Sequence, residues 1–181
     1  MTRAEKAVKE LLEALGQDTT SEGLQETPRR MAAMLSELCT REEFKFTTFD
    51  SKKTSEMIIQ SPIHFSSLCA HHCLPFVGTA SVAYIPNGRI VGLSKLARAV
   101  AYCAKGLQTQ EYITTAVADL IEEKLAPIGV GVILRARHLC MEMRGAKAHD
   151  TWTTTSCLRG AFLTLPEVRA EFMALTRAVS S

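Results

Sequence analysis

Residues 77–93 hold the clearest strand and turn signals in the chain. They read Val77-Gly78-Thr79-Ala80-Ser81-Val82-Ala83-Tyr84-Ile85, then Pro86-Asn87-Gly88, then Arg89-Ile90-Val91-Gly92-Leu93. The first run is rich in β-branched and aromatic residues, and an Asn-Gly pair between two such runs is a strong hairpin signal. The segment therefore predicts a β-hairpin, and with it an antiparallel sheet.

The first third of the chain has the pattern of helices. Thr2 and Glu5 form a capping-box pair, and an apolar stripe follows at helical spacing until Gly16. Thr27 and Pro28 are typical of the cap and first turn of a second helix. The apolar positions expected to face inward in these two helices are Val8, Leu11, Leu12, Leu15, Met31, Met34, Leu35 and Leu38.

Strands and helices alternate in the rest of the chain. A short apolar strand is expected at 57–59, and Ser94 is interpreted as the cap of a helix that ends near Gly106. The other predicted elements are a helix over 109–124, strands over 129–134, 138–143 and 151–165, and a last helix over 166–179. This order predicts an α+β fold with an antiparallel sheet.

Composition narrows the class of protein. The chain has 181 residues, a net charge of +2 and six cysteines. That length suits one well-cored domain with a small appendage. The nearly balanced charge gives no indication of nucleic-acid binding, and no apolar run has membrane-spanning length. Because the N-terminus does not resemble a signal peptide, we expect a reducing, cytoplasmic location, where metal ligation by thiols outranks disulfides.

The stretch Cys69-Ala70-His71-His72 and the distant Cys140 supply the thiolates and imidazoles that zinc prefers. Two cysteines and one histidine would leave a fourth tetrahedral position for water, as in catalytic sites, and the second imidazole would be free to move protons. Cys73 is a further candidate ligand. The alternative is that these cysteines are buried apolar thiols and the histidines are ordinary core or surface residues.

Two polar groups follow the predicted turn. Lys95 and Arg98 share one helix face just after Ser94, which suits a phosphate group or, alternatively, a solvated basic surface. Gln110 and Glu111 open the next helix, where they either cap it or hold the edge of a purine. Arg144 and Arg159 are further cations whose position the sequence leaves open.

Together these residues resemble the GTP cyclohydrolase I family, from about Lys6 to Arg177. The matching stretches are Gly23-Leu24-x-x-Thr27-Pro28-x-Arg30, Cys69-x-His71-His72, Ala83-Tyr84-Ile85-Pro86-Asn87-Gly88, Val91-Gly92-Leu93-Ser94-Lys95-Leu96-Ala97-Arg98, Gln110-Glu111 and His138-x-Cys140-x-x-x-Arg144-Gly145.

The resemblance implies the tunnelling fold: an antiparallel sheet with two helices packed on one face, here preceded by a helical extension. The expected division is an N-terminal extension over 1–50 and a catalytic domain over 51–181. Subunits of this family assemble into barrels, so a toroidal homodecamer with active sites between subunits is expected.

The resemblance also implies a role for each residue of the site. Cys69, His72 and Cys140 would bind Zn²⁺, and His71 would donate and accept protons beside the metal. His138 and Ser94 would assist proton transfers at the ribose. Glu111, with Gln110, would hold the guanine of GTP, and the triphosphate would be bound by Lys95, Arg98 and Arg144. The implied reaction releases formate and gives 7,8-dihydroneopterin triphosphate for folate, biopterin or 7-deazaguanine synthesis.

The sequence departs from the family pattern at a few positions. Ala70 stands where glutamate is usual, Lys105-Gly106 replace arginine, and the segment 146–152 and Arg159 also differ. These departures motivate a first alternative, a diverged zinc hydrolase that acts on another purine or a 7-deazapurine. A second alternative is a non-catalytic binding member of the same fold group, and a zinc-finger module is a distant third.

Overall fold

The structure, a computed structural model, describes residues 1–52 and 54–178. Its elements in chain order are α1 (Arg3–Ala14), α2 (Thr27–Cys39), β1 (Thr48–Asp50), β2 (Ile58–Cys69), β3 (Pro75–Ile85), β4 (Arg89–Val91), α3 (Leu93–Ala104), β5 (Leu107–Gln108), α4 (Gln110–Leu125), β6 (Gly129–His138), α5 (Leu139–Glu142), β7 (Thr153–Gly160), α6 (Ala161–Thr164) and α7 (Pro166–Ala178). The α+β prediction is confirmed. The predicted last helix is present as α7, and its expected final residue, Val179, lies outside the described residues.

The main sheet has the strand order β5-β2-β3-β6-β7. Its long strands pair antiparallel, and only the two-residue β5 runs parallel to its neighbour β2. The predicted antiparallel sheet is therefore present, and β5 is its one parallel strand among the described residues. Strand β2 ends at Cys69, beside β5. This corner of the sheet therefore holds the first of the predicted metal ligands.

The predicted hairpin between β3 and β4 is wrong. Strand β4 pairs with β1, with Val91 opposite Thr48, and the two form a separate small sheet. Both edges of β3 are already occupied: Tyr84, near its end, faces Ile58 of β2 on one side and Val130 of β6 on the other. Because β3 has no unpaired edge for β4 to join, the chain turns away from the main sheet at Gly88 (φ 78°).

Three other predicted boundaries differ from the structure. The short strand predicted at 57–59 is the beginning of a much longer strand, the twelve-residue β2, which starts at Ile58. The two strands expected over 129–143 are one strand, β6, followed by the short helix α5. Strand β6 continues past Leu134 because Ala136 is still buried while Arg135 and Arg137 alternate onto the other face. The third β stretch ends at Gly160 (φ 52°), where α6 begins.

Helices α3 and α4 pack on one face of the sheet and bury its core. Their inward residues Leu96, Val100, Ile113, Val117 and Ile121 are fully buried and belong to the same apolar cluster as strand residues such as Phe76, Val82 and Leu134. Both helices were predicted, and α4 is capped by Thr109 as its predicted start implied. Ser94 is not a cap, because Gly92 occupies that position and makes no side-chain bond.

The opposite face of the sheet is covered at one end by α6 and α7. Phe162 and Phe172 meet edge to face, with ring centroids 5.3 Å apart, over Gly131. A Cβ at Gly131 would lie 2.6 Å from a ring carbon of Phe162. Glycine is needed here because the aromatic pair packs directly onto the strand backbone.

Residues 1–40 form a compact unit of their own, separate from the unit that begins at Arg41. The capping box of α1 is confirmed by reciprocal bonds between Thr2 and Glu5 of 3.0 and 3.2 Å. The expected cap Thr27 is wrong: Glu26 holds that position, and Thr27 already lies inside α2. The predicted inward stripe is partly exposed, most clearly at Leu11, Leu15 and Met34.

In the part of the chain that the structure describes, no helix has both the length and the apolar character that crossing a bilayer requires.

Candidate metal centre and its surroundings

The three predicted metal ligands converge at one corner of the sheet. Cys69 ends β2, His72 lies on the turn that leads to β3, and Cys140 lies on α5. Their ligand atoms all lie within 4.8 Å of one another, and Cys69 Sγ is 3.6 Å from His72 Nδ1. The group could hold a metal ion, which would draw these atoms slightly closer together.

The turn between β2 and β3 brings Cys69 and His72 to one side. The amide of Cys69 donates to the Leu74 carbonyl at 2.8 Å, and the amide of Cys73 donates back to the Cys69 carbonyl at 2.9 Å. Cys73 has φ 55°, a left-handed conformation that is uncommon for a residue with a side chain. This tight turn aims Cys69 inward, and Cys73, though predicted as a possible ligand, is outside the group.

The electrostatics of the group favour a bound cation. Burial, followed by the hydrogen bond and charge of the neighbouring Cys69, raises the pKa of the Cys140 thiol. Two adjacent thiols resist ionising together because their negative charges repel each other. A divalent cation between them removes that repulsion, so the donor chemistry fits a thiolate-binding metal.

Helix α5, which carries Cys140, is linked to β6 by a bidentate salt bridge. Arg137 Nε and Nη2 donate to the two carboxylate oxygens of Glu142 at 2.8 and 2.6 Å. Glu142 is buried, and its hydrogen bond with Arg137 lowers its pKa. Arg144 donates from Nη1 to the carbonyl of Cys140 at 3.1 Å. This predicted phosphate ligand therefore lies beside the three candidate metal ligands, Cys69, His72 and Cys140, which are called the metal group below.

His138 lies at the end of β6, directly before α5. Its ring stacks on Phe76 with centroids 4.6 Å apart and planes 4° from parallel. Its Nε2 is 2.8 Å from Oε1 of Gln110. Burial lowers the pKa of His138, whereas the charge of Glu111 acts in the opposite direction. Burial thus disfavours the charged form of His138, and the Phe76 ring and the Gln110 side chain fix the position of its ring.

The side chain of Gln110, expected to help hold the guanine, is turned into the protein. It is 1% exposed, and its amide nitrogen donates into the protein, to Leu134 O, Thr153 O and Thr155 Oγ1. No amide hydrogen is left for a ligand. Glu111, the next residue, is exposed at the first turn of α4, as are His71 and His72 on their turn.

The predicted phosphate ligands of α3 lie far from the metal group within one chain. The C-terminal end of α3 adjoins β2, since Ser67 donates to the Ala104 carbonyl at 2.6 Å. Ser94 and Lys95 lie in the first turn of this helix, which is about 18 Å long, and Arg98 is the sixth of its twelve residues. The first turn follows β4, whose Val91 amide donates to the Tyr84 hydroxyl.

The length of β3 separates the same two regions. Phe76, which stacks on His138, and Tyr84 are eight residues apart on this strand, roughly 25 Å at the usual rise. The structure therefore brings together Cys69, His72, Cys140, His138 and Arg144, but not Ser94, Lys95 and Arg98. Arg159 is elsewhere, paired with Asp119 at 3.0 Å.

Three residues that shape the site were not predicted: Phe76, Arg137 and Glu142. An Arg and a Glu five apart across a strand-to-helix junction have no recognised local pattern, because helical pairs are three or four apart. Phe76 fits any buried strand, and its stacking partner is 62 positions away in the chain.

Comparison with known proteins gives a consistent result. The sequence profile of the family described as GTP cyclohydrolase I matches residues 4–177. A protein named GTP cyclohydrolase 1 from Hydrogenobaculum sp. is 46% identical over 173 residues, covering 95% of each chain. One of the same name from Caldanaerobacter subterraneus subsp. tengcongensis is 47% identical over 178 residues, covering 96% of this chain and 95% of the relative.

A third relative, the GTP cyclohydrolase 1 of Deinococcus radiodurans, is 47% identical over 174 residues, covering 93% of this chain and 81% of the relative. A solved structure, of archaeosine synthase QueF-Like in the apo form, is more distant, with a TM-score of 0.47 and 13% identity over 59% of this chain and 94% of that chain. The profile match and the identities over almost the whole length show that this chain belongs to the GTP cyclohydrolase I family.

Proposed function

We propose that this chain binds Zn²⁺ and catalyses the GTP cyclohydrolase I reaction. Water adds at C8 of the guanine, the imidazole ring opens, formate leaves, and the remaining atoms recyclise to 7,8-dihydroneopterin triphosphate. The observation that carries the proposal is the close grouping of Cys69, His72 and Cys140 in a chain of this family. Their three donors leave a tetrahedral ion one open position.

When bound by these ligands, Zn²⁺ supplies a Lewis acid that lowers the pKa of water towards neutrality. The proton transfers are assigned to side chains of the protein. His71 is exposed beside the group, with Nδ1 3.8 Å from Cys69 Sγ. We assign it the proton donated to N7 of the purine, which makes C8 electrophilic, and the protons moved as the ring opens.

Recognition of the guanine falls to Glu111. Its exposed carboxylate accepts from N1–H and the 2-amino group, a charge-assisted pair of hydrogen bonds. Its neighbour His138 moves protons at the ribose during recyclisation, assisted by Ser94.

The triphosphate is bound by Lys95, Arg98 and Arg144, and we propose that these residues come from more than one copy of the chain. Arg144 touches Cys140, whereas Lys95 and Arg98 lie in the first half of α3. A homo-oligomer in which the start of α3 from one copy faces the metal group of another would complete the site. A decamer with such interfacial sites is the assembly expected for this family.

The test is incubation of the zinc-loaded protein with GTP, followed by a formate assay and the ultraviolet spectrum of a pterin. Cys140→Ala should lose zinc and all turnover. Cys157→Ala is the matched control, because Cys157 is also a buried thiol but lies on β7, outside the metal group. It should keep both zinc and activity.

Each outcome of this test has a distinct meaning. Formate together with a dihydropterin triphosphate product establishes the activity. Stoichiometric zinc without turnover of GTP contradicts it and favours a different purine nucleotide as substrate, with Ala70 and the Lys105-Gly106 pair as the first positions to revert. A carefully purified protein that takes up no zinc contradicts the metal proposal itself.

A further inference from the structure

The side chain of Gln110 lies between α4 and the sheet, and its contacts determine which way its amide points. The amide nitrogen is 3.1 Å from the Leu134 carbonyl and 3.0 Å from the Thr153 carbonyl. Carbonyl oxygens only accept hydrogen bonds. If the amide were turned over, its own oxygen would face two other oxygens at these distances, so the NH₂ group must lie on this side.

A third contact agrees with that orientation. Thr114 Oγ1 donates to the Gln110 backbone carbonyl at 2.7 Å, so its hydrogen is already used. Thr155 Oγ1, 2.6 Å from Thr114 Oγ1, must then donate to it. The Thr155 oxygen is left as an acceptor for the Gln110 amide, 3.1 Å away. Every hydrogen in this buried network therefore has a consistent direction.

The opposite end of the amide acts on His138. Since the NH₂ group faces the sheet, Oε1 is the atom that faces His138 Nε2 at 2.8 Å. An oxygen of this kind only accepts, so Nε2 must carry a hydrogen. In the neutral ring the other nitrogen, Nδ1, then holds the lone pair. Nδ1 makes no hydrogen bond within residues 1–52 and 54–178, and stacking on Phe76 fixes the plane of the ring.

We propose that Gln110 is a positioning residue that holds His138 in the tautomer with hydrogen on Nε2, which makes Nδ1 the nitrogen that exchanges protons with the substrate. This rests on the proposed function of His138 in proton transfer at the ribose. A proton leaves the substrate, binds the Nδ1 lone pair and gives an imidazolium that keeps its bond to Gln110. Return of the proton from Nδ1 to another atom of the substrate restores the neutral ring, so no further reactant is needed.

The direct test is ¹⁵N nuclear magnetic resonance of the zinc-loaded enzyme labelled at histidine. The chain has five histidines, and comparison with His138→Gln identifies the signals of His138. We expect a protonated Nε2 and an unprotonated Nδ1 in the neutral ring. A neutral ring with hydrogen on Nδ1 overturns the proposal, whatever the activity.

Variants of Gln110 distinguish a role in positioning His138 from a role in binding the guanine. Gln110→Met removes the acceptor, so both tautomers should become populated and kcat should fall about 10- to 100-fold, the size of effect found when a metal-binding histidine loses the group that orients it. KM for GTP should change little, because Gln110 does not touch the guanine in this assignment. A raised KM with unchanged kcat would contradict it.

Thr155→Val is the matched control in the same network. It removes one acceptor of the Gln110 amide but leaves the two carbonyls that determine its orientation, so the Nε2–H tautomer should persist. Loss of the tautomer in this variant would overturn the argument from amide orientation. Where Gln110→Met fails to fold, the spectrum of the unmodified enzyme still decides the question.

Failure of this inference is distinguishable from failure of the proposed function. Normal formate release with hydrogen on Nδ1 contradicts only the role of Gln110. An Nε2–H tautomer in a protein that releases no formate contradicts only the cyclohydrolase activity.

Discussion

Two adjacent histidines at the metal group have different environments. His72 Nδ1 is 3.6 Å from Cys69 Sγ and belongs to the cluster of ligand atoms, while His71 Nδ1 is 3.8 Å from the same sulfur and does not. Their rings are 6.1 Å apart and tilted by 66°. The backbone turn thus places only His72 among the candidate metal ligands and leaves His71 for the proposed proton transfer.

This separation is testable with a pair of substitutions. His71→Ala should retain one zinc per subunit and lose turnover, because it removes a proton donor but no ligand. His72→Ala should lose both, because it removes one of three ligands. Zinc is measured by elemental analysis and turnover by formate release. A normal rate in His71→Ala would show that its acid–base assignment is wrong.

A second prediction at the residue scale concerns Glu111. Glu111→Ala removes a charge-assisted pair of hydrogen bonds, which should weaken GTP binding by about 2 kcal/mol, roughly 30-fold in Kd. Binding is best measured by calorimetry in a His71→Ala background, where turnover does not interfere. Glu123→Ala is the control, since Glu123 is an exposed carboxylate on the same helix paired with Lys124. Equal affinities in the two variants would rule out guanine binding by Glu111.

At the scale of the element, α5 is only four residues long yet carries Cys140, one of the three candidate metal ligands. So short a helix has little stability of its own. Its position depends on the Arg137–Glu142 pair and on the Arg144 bond to the Cys140 carbonyl. Strand β6 thereby supports the metal group through side chains rather than through the sheet.

Arg137→Gln should lower both stability and zinc affinity, because it leaves the buried Glu142 carboxylate without its cation. The effect on stability should depend on pH. Arg137 holds the pKa of Glu142 below its ordinary value of 4.5, so the pair stabilises the fold above pH 4.5 and loses this contribution as pH falls through the lowered pKa. The difference between the native protein and the variant should therefore be largest near neutral pH and shrink on acidification.

The measurement is urea unfolding of both proteins over that pH range, after metal removal so that acid release of zinc does not contribute. Arg135→Gln serves as the control, because Arg135 lies two residues back on the same face of β6 but pairs with the ring of Trp152 at 4.6 Å. It should leave zinc affinity unchanged. A constant difference across the pH range would show that the ion pair does not hold α5.

At the scale of the whole molecule, the tunnelling fold expected from the resemblance is confirmed by the sheet with two helices on one face and by membership of the family. The same architecture places Lys95 and Arg98 in the first half of α3, whereas the last residue of that helix adjoins the β2 strand that ends at Cys69. One chain alone thus holds the two halves of the proposed site at opposite ends.

Complementation tests whether two copies share a site. Cys140→Ala and Arg98→Ala subunits should each be inactive alone, but co-expression should restore about one quarter of the sites, since each working site needs an intact metal group from one copy and an intact Arg98 from its neighbour. Activity of the co-purified mixture is compared with that of each variant. Mixed oligomers that remain inactive would place the whole site within one chain.

Much of this structure was predictable because its signals are local. Helices α1, α3, α4 and α7 were each predicted and are present, although the inward stripe expected for α1 is partly exposed. The donor chemistry of Cys69, His72 and Cys140 indicated a metal group, and these atoms do converge. The roles of the site residues and the division of the chain at residue 50 stay predictions.

The pairing of β4 and the orientation of the Gln110 side chain depended on tertiary structure, because each is determined by which strand edges or hydrogen-bonding groups are free in the folded chain. Asn87-Gly88 encodes a turn, but β4 pairs with β1 because both edges of β3 are taken. Gln110 has the same local sequence whether it faces guanine or the sheet, and the carbonyls of Leu134 and Thr153, far along the chain, decide that it is buried. Local sequence thus determines backbone preference and ligand chemistry, whereas strand partners and side-chain orientation follow from long-range contacts that form only in the folded chain.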